Sequence, residues 1–311
     1  MISFRFHLVS LIAVFLALGL GILVGSTVVD QVIVDRLDRE IKDVRHDSSQ
    51  ANEENRLLKD QIAQNEDFLK KQAPYAVDQR LAQQPVVVIA DKGIDSGTLK
   101  SMVTMLKSAG ADVPGVLWLS DSWRLDKAAD LTSLHAAAGV TGNNATARLA
   151  ALRLVAQRVS GPPTRGERRS DVLQSLISSG FLELSDGNKD ELKSFPSESA
   201  RVLVVTGTDS QLEGTDTLTD LVQSLVNADA PVVVAEAYDD HHLAPPVPQR
   251  GASVTPIRGD SNLSKFVSTL DDAELVQGQI TAVIALEQIP TTVGHYGYGQ
   301  GASTPLPAIG P

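Results

Sequence analysis

The run Asp239-Asp240-His241-His242 packs two carboxylates and two imidazoles into four consecutive positions. Imidazole with carboxylate suits Cu(II), Zn(II) or Ni(II). The run follows an expected strand, Val232-Val233-Val234-Ala235, and open α/β sheets bind ligands beyond the carboxyl ends of their strands. Adjacent residues on one loop supply two ligands but seldom a complete site. The plainer reading is a solvated loop leading into the proline-rich residues 244–248. With three Met and no Cys, the chain offers few soft donors to Cu(I).

Other chemistry is sparse. Gly207-Thr208-Asp209 follows a strand, but neither G-x-G-x-x-G nor a Walker lysine accompanies it. Ser10 and other isolated serines lack a nucleophile elbow. Neither enzymatic activity nor a bound cofactor is expected, with copper as a possible ligand. His295-Tyr296, inside Gly294-His295-Tyr296-Gly297-Tyr298-Gly299, could dock onto a partner through its aromatic rings. By composition the same run reads as part of a flexible tail, residues 290–311, rich in Gly, Pro, Ser and Thr.

The bulk composition narrows the classes. Apolar residues make up 42% of the 311, but aromatics only 4%, so a core must be aliphatic and Ala-rich. A net charge of -11 argues against nucleic acid, whose phosphates need clustered Lys and Arg. It also disfavours peripheral docking on anionic lipid. The absence of Cys excludes disulfides and thiolate chemistry.

Organisation is far more legible than chemistry. Residues 8–29 carry no charge, and as a helix they span roughly 33 Å, about a bilayer core. Arg5 precedes them, while Asp30, Asp35, Arg36 and Asp38 follow. The positive-inside tendency keeps residues 1–7 in the cytoplasm and the bulk of the chain outside. A cleaved signal peptide is the competing reading, though no A-x-A site precedes Asp30. Ala13, Ala17, Gly21 and Gly25 form a small-residue stripe that lets two membrane helices approach closely, although Ala and Gly are common in such helices anyway.

Residues 30–73 read as a parallel, dimeric coiled coil. Val34, Ile41, Asn55 and Ile62 occupy a positions; Leu37, Val44 and Leu58 occupy d positions. The seam is weak at Ser48 and Asn65, and Asn55 is the kind of polar insertion that fixes register between two strands. Glu40 with Arg45, and Glu54 with Lys59, would attract across the pair. Pro74 is expected to end the helix. The alternative is one amphipathic helix lying on the domain that follows.

Residues 85–289 read as a mostly parallel α/β domain of βαβ units. Val86-Val87-Val88-Ile89-Ala90 and Val116-Leu117-Trp118-Leu119 are strands around a helix at 98–109. Arg201-Val202-Leu203-Val204-Val205 and the strand at 232–235 flank a helix at 217–227. This is either an internal duplication or two generic units. Residues 124–160 and 171–179 read as helices, residues 263–270 as a further helix, and Ala282-Val283-Ile284-Ala285-Leu286 as a last strand.

The N-terminal Met1-Ile2-Ser3-Phe4-Arg5-Phe6-His7-Leu8-Val9-Ser10, the following Ala13-Val14-Phe15-Leu16-Ala17-Leu18-Gly19, and the late Gly294-His295-Tyr296-Gly297 resemble the MctB family of actinobacterial envelope proteins. The resemblance implies a role in copper homeostasis and pore formation, in the cell membrane or the outer membrane. Relatives of the SteB type imply a membrane partner, SteA, and control of a peptidoglycan hydrolase in cell separation. The residues fit these unequally. A barrel pore needs alternating strands of about ten residues, and the strands here are unbroken apolar runs. A dimeric stalk carrying a docking domain suits a regulator better.

Overall fold

The computed structural model describes residues 4–161, 171–185, 187, 196, 199–239 and 249–308, leaving aside the side chains of 26–34. The chain divides into two compact units, Met1–Asn65 and Glu66–Pro311. Helix α1, Phe4–Val77, forms the first unit and gives its last turns to the second. Its most apolar stretch is Phe4–Gly25, 22 residues of membrane length. Arg5 falls inside that stretch, so the apolar segment starts before residue 8.

Pro74 does not end α1. A proline removes one helical hydrogen bond, but Ala73 and Val77 on either side are buried and hold the final turn against the core. The helix stops at Val77, shortly before Gln79 takes a positive φ of 58°. Leu69, Ala73 and Val77, spaced by four, pack into the α/β unit. The α/β unit therefore begins inside the helix.

The second unit holds a seven-stranded sheet: β1 Val86–Asp91, β2 Val116–Leu119, β3 Leu182–Ser185, β4 Arg201–Gly207, β5 Val232–Ala237, β6 Val267–Leu270 and β7 His295–Tyr296. Their spatial order is β3-β2-β1-β4-β5-β6-β7, all parallel except β3 against β2. Helix α2, Ser96–Ser108, lies in sequence between the paired strands β1 and β2. The later helices are α3 Ala128–Ala138, α4 Asn144–Ser160, α5 Val172–Ser178, α6 Thr217–Asn227, α7 Thr255–Gly259 and α8 Val276–Gln288. One sheet face packs on α3 to α7, the other on α2, α8 and the end of α1. Alternating residues of β1 divide between these two cores, Val87 and Ile89 against Val86 and Val88, as strand geometry requires.

Four further expectations need correction. The helix expected over 263–270 is a turn followed by β6, and the strand expected at 282–286 is the middle of α8. Leu263, Val267 and Leu270 happen to share helical spacing, but Val267 and Thr269 are β-branched and pair with β5 and β7. Helix α8 is buried almost all round, Gln279 and Thr281 included. It has no polar face to betray its period. Residues 124–160 break at Gly139, φ 67°, into α3 and α4. The segment after Pro290, expected to be a flexible tail, instead adds β7 to the sheet edge, and Tyr296 is only 4% exposed.

Candidate functional site

The carboxyl ends of the central strands carry a row of polar residues on one sheet face. Asp91, Thr206, Glu236 and Asp271 lie at, or one residue from, the carboxyl ends of β1, β4, β5 and β6, and the strand register sets them side by side. Asp91 is 1% exposed, and its Oδ2 accepts from Thr206 Oγ1 at 2.8 Å and Ser210 Oγ at 3.0 Å. Its Oδ1 has no partner among the described residues. Burial pushes this carboxyl up to about 6, the two hydroxyls opposing.

Glu236 is fully buried and accepts three backbone N–H groups, from Gly251 and Ser253 at 2.7 Å each and Val254 at 3.2 Å. Burial still raises its pKa against those bonds. Asp271 pairs with Arg258 at 2.7 Å, both inside the core. Its two oxygens also accept the consecutive N–H groups of Tyr298 at 2.8 Å and Gly299 at 3.0 Å, a small backbone nest closed on a carboxylate. Arg258 further donates to Thr269 Oγ1 and to the carbonyls of Tyr296 and Gln300. Three buried charges thus fasten two loops, residues 249–254 and 297–301, to the sheet edge.

This explains the glycines of Gly294-His295-Tyr296-Gly297-Tyr298-Gly299. A Cβ on Gly297, φ 111°, would overlap Asp271 Oδ1; one on Gly299 would meet Arg250 O at 2.6 Å. His295 sits in β7, its Nδ1 3.0 Å from Thr269 Oγ1, and burial and Arg258 depress its pKa. The aromatic side chain that remains exposed in this run is Tyr298, whose hydroxyl accepts from Gln277 Nε2 at 2.8 Å.

Beyond the edge, a crevice of 320 Å³ opens where the chain order reverses between β1 and β4, lined by Asp95, Asp209, Asp239 and Glu274 among others. Crevices at such a switch point are the usual ligand positions of open sheets. Asp239 belongs to it, its N–H donating to Thr208 Oγ1 at 3.0 Å. Asp240, His241 and His242 lie outside the described residues. Among the described residues no group of three or more metal-ligating side chains forms. Arg250 stacks over Tyr238 at 4.4 Å and pairs with Glu274 at 2.7 Å. Next to it Asp272 is fully buried, with neither oxygen in a well-aligned hydrogen bond among the described residues. Burial, then Asp271 and Glu274, push it up to about 6.

In the first unit, Ala13, Ala17, Gly21 and Gly25 lie in the apolar stretch of α1, and an added Cβ on either glycine meets nothing within 4 Å. Val34 is helical. Leu37, Ile41, Val44, Leu58 and Ile62 are roughly half or more exposed, from 48% to 66%. Asn55 is exposed on the same helix. Neighbouring charges pair along the helix, Arg36 with Glu40 and Lys42 with Asp38.

Glu236, Asp271, Asp272, Arg250 and Arg258 carry no recognisable motif in the sequence. The available signal was a charge breaking an apolar strand at its carboxyl end, as Glu236 does after Val232-Val233-Val234-Ala235.

An apolar N-terminal helix long enough to cross a membrane, followed by a mostly parallel α/β domain, fits a membrane-anchored protein, one whose buried Glu236, Asp271 and Arg258 hold loops in place. The chain belongs to the family described as copper transport outer membrane protein, MctB, whose model matches residues 1–307. It is 23% identical to the copper transporter MctB of Mycobacterium tuberculosis over 97% of this chain and 98% of that protein. The copper transporter MctB of Mycobacterium leprae is 24% identical over 98% of each chain. The family is named for transport, not for a catalysed reaction.

Proposed function

We propose that the chain is a non-enzymatic, single-pass envelope protein that dimerises through a parallel coiled coil and docks partners with its α/β domain. The N-terminus is cytoplasmic and the bulk extracytoplasmic. The observation that carries this reading is the row Leu37, Ile41, Val44, Leu58 and Ile62, apolar and exposed on an otherwise charged helix. Burying each such side chain gains about 1.5–3 kcal/mol, and a second copy in heptad register covers them all. Partners in cell-wall remodelling and cell separation, a SteA-like membrane protein and a cell-wall hydrolase, follow from the resemblance to SteB-type proteins. The loops fastened by Glu236 and Asp271 offer preformed protein surface for such docking.

Copper homeostasis is the second reading, favoured by the names of the family and its relatives. Copper would be cargo, and Asp239 with His241 and His242 the first residues to test. Deleting the gene and comparing copper tolerance with cell separation separates the two. A separation defect at normal copper tolerance supports docking. Copper hypersensitivity that His241→Ala with His242→Ala reproduces supports transport. Ion conduction by purified protein in planar bilayers would also sink the docking reading.

A further inference from the structure

Strands β2 and β3 are fully covered by helices on one face but only partly on the other, where Val116 shares a buried cluster with α2. On that second face, Trp118 of β2 and its cross-strand neighbour Glu183 of β3 floor a groove of 490 Å³ beside α2. That size suits a small ligand, about 300–1,000 Å³. Trp118 fixes its ring by donating Nε1–H to Ser185 Oγ at 2.7 Å. Lys92 and Glu183 form an ion pair over the same floor, their side chains 36% and 60% exposed. Lys100 of α2 and Gln211 complete the polar rim.

The geometry points to a binding site for the pyranose rings of a glycan. A pinned indole offers a flat apolar surface to the C–H face of a sugar. The adjacent Lys–Glu pair offers a donor and an acceptor together, the pattern that neighbouring hydroxyls need. Other ligand classes fit less well. Glu183 repels anions, Lys92 and Lys100 repel cations, and a wholly apolar ligand would strip water from an ion pair without replacing its hydrogen bonds. The inference does not depend on dimerisation or on any protein partner.

Full-length protein in a detergent lacking a sugar headgroup is titrated with maltotetraose, cellotetraose and N-acetylchitotetraose, following indole emission. Trp123 is fully buried against Phe181, so Trp118 is the ring within reach of added sugar. At least one oligosaccharide should give a saturable shift, absent in Trp118→Phe. By calorimetry, Glu183→Gln should bind at least tenfold more weakly; Glu183 is exposed, so this variant keeps its fold. No saturable change with any of the three sugars overturns the proposal. So does binding that Glu183→Gln and Lys92→Met leave unaltered.

Discussion

The two units of this protein solve opposite problems. From Phe4 to Val24, and again from Leu37 to Ile62, α1 leaves its large apolar side chains exposed within the chain. The α/β unit does the reverse: it buries Arg258, Asp271 and Glu236 and satisfies them internally. Exposed apolar surface calls for something outside the chain, lipid for the first stretch and, in the proposed dimer, a second helix for the next. Buried charge that is paired in this way calls for nothing outside, and it ties down the loops it holds. The first unit is built to be completed, the second to present a fixed shape.

Breaking the internal charge should have the largest effect. Removing one partner of a buried ion pair costs about 3–5 kcal/mol, because the other charge stays buried. Arg258→Met strands Asp271 and frees the carbonyls of Tyr296 and Gln300. Denaturant unfolding should show that loss, with loop 297–301 becoming protease-sensitive. Wild-type stability in this variant would mean that the Arg258–Asp271 pair does not hold the sheet edge together. In the first unit, Ile41→Asp with Leu58→Asp should cost on the order of 3 kcal/mol of association, seen by sedimentation as dissociation to monomers. Unfolding of the α/β unit should stay unchanged, since the sites share no partners. A variant that remains dimeric removes the coiled coil from the proposal.

A smaller effect comes from pH. Asp272 has a carboxyl raised from an ordinary value of 3.8 to about 6, facing Asp271, Glu274 and Arg250. A raised folded pKa means its ionisation opposes folding. Stability is full below about pH 4 and declines as pH rises through about 6. Asp272→Asn should therefore stabilise the protein at pH 7.5 by on the order of 2 kcal/mol. The advantage should vanish below pH 4. An advantage equal at both pH values would assign the gain to packing rather than to charge.

Much of the sheet was legible because buried parallel strands read as unbroken apolar runs. Val86-Val87-Val88-Ile89-Ala90 and Arg201-Val202-Leu203-Val204-Val205 needed nothing else. The exchange of strand and helix across 263–288 happened where runs are short and α8 is buried on every side, so period carried no information. The site was nearly silent in the sequence. Asp271 and Arg258 meet only through the fold, and the glycines of 294–299 imitate a tail by composition. Their role, keeping Cβ atoms away from Asp271 and its neighbours, appears only once β6 and β7 lie side by side.

One substitution type sharpens the contrast further. Gly297→Ala places a Cβ against Asp271 Oδ1 and forces a residue with a side chain to hold φ 111°, a strain of about 1–3 kcal/mol. The thermal midpoint should fall, with the loss localised to β7 by hydrogen exchange. Gly21→Ala meets no atom of its own chain within 4 Å. Judged on one protomer, it should gain about 0.5–1 kcal/mol of helix stability. If the small-residue stripe packs against a second copy, the added methyl instead separates the two helices and weakens association in lipid. Energy transfer between labelled protomers in bilayers decides between these. Unchanged or stronger pairing in Gly21→Ala would leave dimerisation to the seam beyond residue 34 alone.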